Sequence, residues 1–148
     1  MQLDIEQKPS TESRVYLSQN KDANDMPMLC IYWKPGTPEW QTTKTFIEKF
    51  KQEWQRFDLG SAIWNERLYE SEQIWLSNIS DAFHQAGTTR MSDDSRQGVV
   101  NANLQVHGVE NLYIASCSVF PTSGTANPTF TLMALSLRLA DFLKAVNT

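Results

Sequence analysis

Residues 84–143 read HQAGTTRMSDDSRQGVVNANLQVHGVENLYIASCSVFPTSGTANPTFTLMALSLRLADFL, and both histidines of the chain lie within them. Gly87-Thr88 is a turn signal that follows the first histidine closely. Gly98-Val99-Val100 and Leu104-Gln105-Val106 are short extended pieces, and Gly108 permits a turn directly after Val106-His107. Leu112 to Ala115 is an apolar run of β type and is expected to be a buried strand. Asn127-Pro128-Thr129 then has the form of a helix start, with Asn as N-cap and Pro at the first position. The segment it opens is apolar on most sides (Phe130, Leu132, Met133, Leu135, Leu137, Leu139, Phe142, Leu143). A helix of that kind belongs inside a body larger than this chain comfortably makes.

Upstream, the chain reads as scaffold. Leu3 to Gln7 alternates apolar and polar side chains, the period of a half-buried strand. Lys8 to Glu12 is a turn broken by Pro9 and Ser10, and Arg14 to Leu17 is a second strand. Asn20 to Pro27 is a polar loop whose Asn and Asp favour turns through their own side chains. Met28 to Trp33 is a third strand, so a small antiparallel sheet is expected. Thr37 with Pro38 and Glu39 starts a helix reaching to about Phe57. Its stripe Phe46, Phe50, Trp54 and Phe57 is expected to cover the sheet. Trp64, Leu68, Ile74, Trp75 and Leu76 are too aromatic for a loose linker but show no clear period. A composition shift near residues 77–80 divides the chain into portions 1–77 and 78–148. The expected class is α+β.

Composition excludes several functions. Hydrophobic residues make up 41% of 148 and charged ones 20%, which suits a globular protein with a real core. A formal net charge of −4 without a basic cluster argues against a nucleic-acid partner. Cys30 and Cys117 lack metal-ligand spacing. They read as free thiols of a reducing compartment, a single disulfide being the alternative. No apolar leader follows Met1, and Phe130 to Leu143 is too short to span a bilayer. These signs favour a cytoplasmic location and no membrane partner.

His84 has two readings that balance on local context. It is either a core histidine satisfied by a backbone carbonyl, or a general base, since imidazole titrates near neutral pH. Gly87 would let the backbone approach a ligand closely. His107 reads as a turn or surface histidine, and a zinc site built from both histidines and Cys117 fails on spacing. Asn127 reads first as a helix cap, although a helix start is also a natural site for negative charge. Ser118 with His84 and Asp81 could form a hydrolase triad, but no Gly-x-Ser-x-Gly elbow is present.

Taken together, these blocks resemble the C-terminal signature of the glucose–methanol–choline (GMC) oxidoreductase family of flavoenzymes. His84-Gln85-Ala86-Gly87-Thr88-Thr89-Arg90-Met91, Gly98-Val99-Val100, Val106-His107-Gly108-Val109-Glu110-Asn111-Leu112-Tyr113, Ser118-Val119-Phe120-Pro121-Thr122-Ser123-Gly124 and Ala126-Asn127-Pro128-Thr129 stand in family order, and the helix with Ala134-Leu135 and Arg138 to Asp141 also matches. Glu6-Gln7, Pro9, Ser13 to Ser18, Asp22 and Pro27 resemble, more loosely, the start of the last substrate-domain portion. The flavour is that of sugar dehydrogenases and pyranose oxidases.

The resemblance implies a substrate-domain portion in residues 1–77, and a C-terminal strand and helix at the edge of an FAD-binding domain in residues 78–148. It implies oxidation of an alcohol or sugar by hydride transfer to FAD, with His84 as catalytic base and Asn127 as its partner on the substrate oxygen. Ser116, Ser118, Pro128 and Thr129 would contact the cofactor. Many family members have an acidic residue or glycine where Ser116 stands, which changes that contact. The family's Gly-x-Gly-x-x-Gly unit is absent, so the chain is expected to be roughly the C-terminal third of such an enzyme. It would then be inactive alone and need a flavin-binding unit, in one polypeptide or on a separate chain. The rival expectation is a non-catalytic chain whose last helix docks on a partner.

Overall fold

The computed structural model describes residues 2–146, with a two-stranded antiparallel sheet and three α-helices. Strand β1 (Arg14–Lys21) pairs with β2 (Pro27–Tyr32), matching Val15 with Ile31, Tyr16 with Cys30 and Leu17 with Leu29. Asp22 builds the turn between them, its carboxylate accepting from the amides of Asn24 at 2.8 Å and Met26 at 3.0 Å. Asp25 takes the left-handed conformation, which its short polar side chain tolerates.

Residues 3–7, expected as the first of three strands, form no ladder. They run beside the hairpin's open end and are held by side chains. Gln7 Nε2 donates to Ser13 Oγ at 3.0 Å and to the Lys34 carbonyl at 3.2 Å, and Gln7 Oε1 accepts from Trp33 Nε1 at 2.6 Å. Alternation reports an extended, half-exposed chain, and it does not require a neighbouring strand.

Helix α1 (Thr37–Arg56) follows the hairpin. Its cap position falls on Gly36, one residue before the expected Thr37, because Glu39 reaches back instead. The buried Glu39 carboxylate accepts from Gly36 N at 2.8 Å and from Lys8 N at 2.9 Å, which also anchors the N-terminal segment. The stripe Phe46, Phe50 and Trp54 stacks along the helix and meets Trp64, while Trp40 packs on Trp75 at 6.0 Å between ring centroids. The partner of α1 is therefore the segment 61–76, which contains a 3₁₀ turn (Glu66–Tyr69) and helix α2 (Glu72–Leu76). Hairpin side chains Leu17 and Ile31 are 66% and 67% exposed.

A second core gathers Val100, Leu104, Val119, Phe120 and Leu139. Single β-bridges join Met91 to Val100, Val100 to Val106, and Gln105 to Tyr113. The run 112–115, expected as a strand, contributes only that last bridge. Its backbone bonds go to the turn beside it, Val106 N to the Leu112 carbonyl and Ile114 N to the Leu104 carbonyl, both at 2.9 Å. Helix α3 (Thr129–Val146) closes this core with Leu132, Leu135, Leu139, Phe142 and Leu143. Its other face leaves Phe130, Met133 and Leu137 exposed. One bond ties the outer segments together: Gly124 N donates to Glu6 Oε1 at 2.8 Å.

Candidate active site

The segment that carries His84 is fastened to the second core by its backbone. Gly87 N donates to the Cys117 carbonyl at 3.3 Å, Thr89 N to the Ser118 carbonyl at 2.9 Å, and Met91 N to the Val119 carbonyl at 2.8 Å. The approach is close enough to need glycine. Gly87 has φ +79°, and a β-carbon there would stand 3.2 Å from the Phe120 carbonyl. Gly98 serves the neighbouring loop in the same way, since a β-carbon would lie 2.5 Å from Ser92 Cβ and 2.8 Å from the Arg90 carbonyl.

His84 itself is exposed. Asp81 shapes the chain on both sides of it, accepting from Phe83 N and from Gln85 Nε2, each at 2.6 Å. Phe83 is held at positive φ and is 83% exposed. The arrangement differs from a hydrolase triad: the Asp81 oxygens are taken by Phe83 and Gln85, and Ser118 Oγ by Thr89.

Asn127 is also exposed and directly precedes α3. The first intrahelical bond runs from Leu132 N to the Pro128 carbonyl at 2.9 Å, so the helix starts one residue later than expected. Among the described residues the Asn127 amide makes no hydrogen bond that would cap the helix. Thr129 is exposed and Pro128 half-buried at the same helix start, where the first N–H groups have no intrahelical acceptor.

Ser116, which precedes the short turn Cys117–Val119, and Ser118 within it are both half-buried. Ser116 Oγ accepts from Ser118 N at 3.2 Å and so caps that turn. The two segments meet here, because Thr89 Oγ1 donates to Ser118 Oγ at 2.6 Å. The sequence gives no local sign of this pair, since its members stand 29 positions apart.

His107 has a structural role. Its Nε2 lies 2.9 Å from the Ser92 carbonyl and can only donate there, while its amide donates to Val99. The adjacent Asp94 carboxyl is held below its usual range, chiefly by the Arg96 guanidinium and backbone, with His107 a lesser cause. Among the described residues no group of three His, Cys, Asp or Glu could hold a metal, and no helix is long and apolar enough to cross a membrane. Cys30 and Cys117 are free and half-buried.

Known proteins share this organisation of sequence. A family model described as GMC oxidoreductase matches residues 9–136. The fructose dehydrogenase large subunit of Gluconobacter japonicus is 45% identical over 135 residues, covering 90% of this chain and 23% of that protein. The C-glycoside 3-oxidase of Arthrobacter globiformis is 32% identical over 118 residues, 79% of this chain and 21% of the relative. For the 2-methyl-1,2-propanediol dehydrogenase of Mycolicibacterium austroafricanum the identity is 26% over 123 residues, 83% and 21% of the two chains. This chain thus spans between a fifth and a quarter of the length of these relatives, less than the third expected from its sequence.

Proposed function

The chain belongs to the GMC oxidoreductase family, and from that premise we propose that it forms the C-terminal part of an FAD-dependent enzyme oxidising a CH–OH group of an alcohol or sugar. One observation carries the assignment of residues. His84 and Asn127 are both exposed, and the segments that bear them are fixed to a single core, one through Cys117–Val119 and the other through Leu132, Leu135 and Leu139 of α3.

His84 accepts the proton of the substrate hydroxyl as general base. Asn127 cannot take a proton, but its amide N–H₂ orients the substrate oxygen and stabilises negative charge developing there. When bound, FAD supplies the acceptor for the hydride leaving the same carbon. The donor set suits such a cofactor: the Ser116 and Ser118 hydroxyls can donate to its polar chain, and the α3 start, where Pro128 itself has no N–H to give, offers the unpaired N–H groups from Thr129 onward and a positive dipole end. Residues 78–148 provide this half-site, and residues 1–77 belong to the substrate side. FAD is held mainly by a Gly-rich unit outside these residues.

The division of labour can be tested directly. Purified chain should bind little FAD. Combined with the flavin-binding remainder of the enzyme, it should give a yellow complex that an alcohol or sugar bleaches. Stoichiometric tight FAD binding by these 148 residues alone, or a loaded complex that no alcohol or sugar bleaches, would overturn the proposal.

A second reading is favoured by the outer face of α3, where Phe130 is 84% exposed beside Met133 and Leu137. In that reading the chain is a non-catalytic piece that docks by this face on a subunit carrying the flavin domain. A complex that keeps its full oxidation rate when His84 and Asn127 are both replaced by Ala would favour it.

A further inference from the structure

Thr89 contacts Ser118 twice. Its amide donates to the Ser118 carbonyl at 2.9 Å, and its hydroxyl donates to Ser118 Oγ at 2.6 Å. The flanking ties, from Gly87 and Met91, are made by main chain only. The hydroxyl pair is different, because it sets a side-chain rotamer. Each hydroxyl can both donate and accept, so the pair uses one bond of each and leaves Ser118 a further bond to make. Ser118 N is meanwhile taken by Ser116 Oγ at 3.2 Å, which fixes the turn from the other side.

We infer that Thr89 is a positioning residue, clamping the His84 segment to the Ser118 hydroxyl so that base and cofactor-side donor keep one spacing. The inference rests on the proposed function, in which His84 takes the substrate proton and Ser118 faces the cofactor. Its physical basis is that well-oriented groups lose rate steeply when displaced. A shift of about 1 Å can cost on the order of a hundredfold without any change in the reacting groups. Both residues are half-buried, so the bond between them is partly shielded from competition with water.

The test compares Thr89→Val, Thr89→Ser and Ser118→Ala. In the complete enzyme, assembled from this chain and its flavin-binding remainder, Thr89→Val should lower the limiting rate of flavin reduction by about tenfold to a hundredfold. Half-saturation by substrate should move by no more than about twofold, since binding contacts are untouched. Thr89→Ser, which keeps the hydroxyl, should restore the rate. The double variant Thr89→Val/Ser118→Ala should be no slower than the slower single variant, because the two residues act as a unit. In the 148-residue chain alone, hydrogen exchange of amides in residues 84–91 should quicken in Thr89→Val and not in Thr89→Ser, with α1 unchanged. If Thr89→Val does not fold, Thr89→Ala removes the same hydroxyl without a branched methyl and takes its place.

Unchanged exchange in residues 84–91, a wild-type reduction rate in Thr89→Val, or strict additivity with Ser118→Ala would each overturn the clamp. His84→Ala separates the two levels of failure. If His84→Ala abolishes reduction while Thr89→Val does not slow it, only the positioning role is lost; if neither variant slows it, the functional reading falls as well.

Discussion

Gly87 lies against the carbonyl of Phe120 so closely that a β-carbon would stand 3.2 Å from that oxygen, at a backbone angle of φ +79°. The turn after His84 is therefore both left-handed and tightly packed. Gly87→Ala meets both penalties, a left-handed alanine costing about 1–2 kcal/mol before any displacement of the Phe120 backbone. Urea unfolding of the chain should show a loss of at least that size, and the amides of residues 87–91 should exchange faster. A Gly87→Ala chain as stable as wild type would mean that the turn is not held against Phe120.

Glu39 is a second anchor, at the other end of the molecule. Its buried carboxylate accepts from both Lys8 N and Gly36 N, so Glu39→Ala removes the acceptor that two amide donors share. The expected cost is about 1–3 kcal/mol, with the N-terminal segment becoming sensitive to proteolysis near Lys8. Glu39→Gln keeps one acceptor oxygen and should lose less. Equal stability of the two variants would contradict this role of Glu39 at the helix start.

The two faces of α3 should behave differently. Leu104 and Val100, fully buried beneath that helix, belong to the core, and Leu104→Ala should destabilise the isolated chain by about 2–5 kcal/mol. Leu137, on the outer face, is exposed. Leu137→Ala should change the isolated chain by no more than about 0.5 kcal/mol. The same substitution should weaken assembly with the flavin-binding remainder, measurable by titration calorimetry. Wild-type assembly of Leu137→Ala would show that this face is not covered in the enzyme.

Asp94 predicts a small acid sensitivity. Its carboxyl is held below the ordinary 3.8 by Arg96, so the charged form is favoured in the folded chain. The contribution is fully present above the unfolded value and disappears as pH falls through the lower folded value. Asp94→Asn should therefore flatten the loss of stability that begins as pH drops below about 4. Arg96 is exposed and Asp94 half-buried, so the difference should shrink in high salt. An identical acid limb in both chains would contradict the prediction.

How much of the fold and site was legible in the sequence depended on whether a feature is local. The aromatic stripe of α1, at helical spacing through Phe46, Phe50 and Trp54, marks a helix wherever it packs, and its bounds are readable to a residue or so. What the stripe packs on was not readable. Trp64 and Trp75 come from a segment broken into a 3₁₀ turn and a five-residue helix, too short to show a period. The runs 3–7 and 112–115 look like strands because extended backbone alternates or buries in the same way with or without a partner. For Gln7 the partners are the Ser13 and Trp33 side chains and the Lys34 carbonyl, and for Leu112 and Ile114 they are a neighbouring turn. In the candidate site, the blocks around His84 and Asn127 stand out by their order along the chain. The hydroxyl pair of Thr89 and Ser118 has no such sign, because each is an ordinary turn residue until the fold brings them to 2.6 Å.

The central claim is that His84 takes the substrate proton. The direct measurement is the rate at which an alcohol or sugar reduces the flavin in a single turnover, with enzyme assembled from the His84→Ala chain and its flavin-binding remainder. Loss of a general base is expected to slow that step by about 10²–10⁴-fold while the complex still forms and holds its flavin. Reduction at close to the wild-type rate would contradict it.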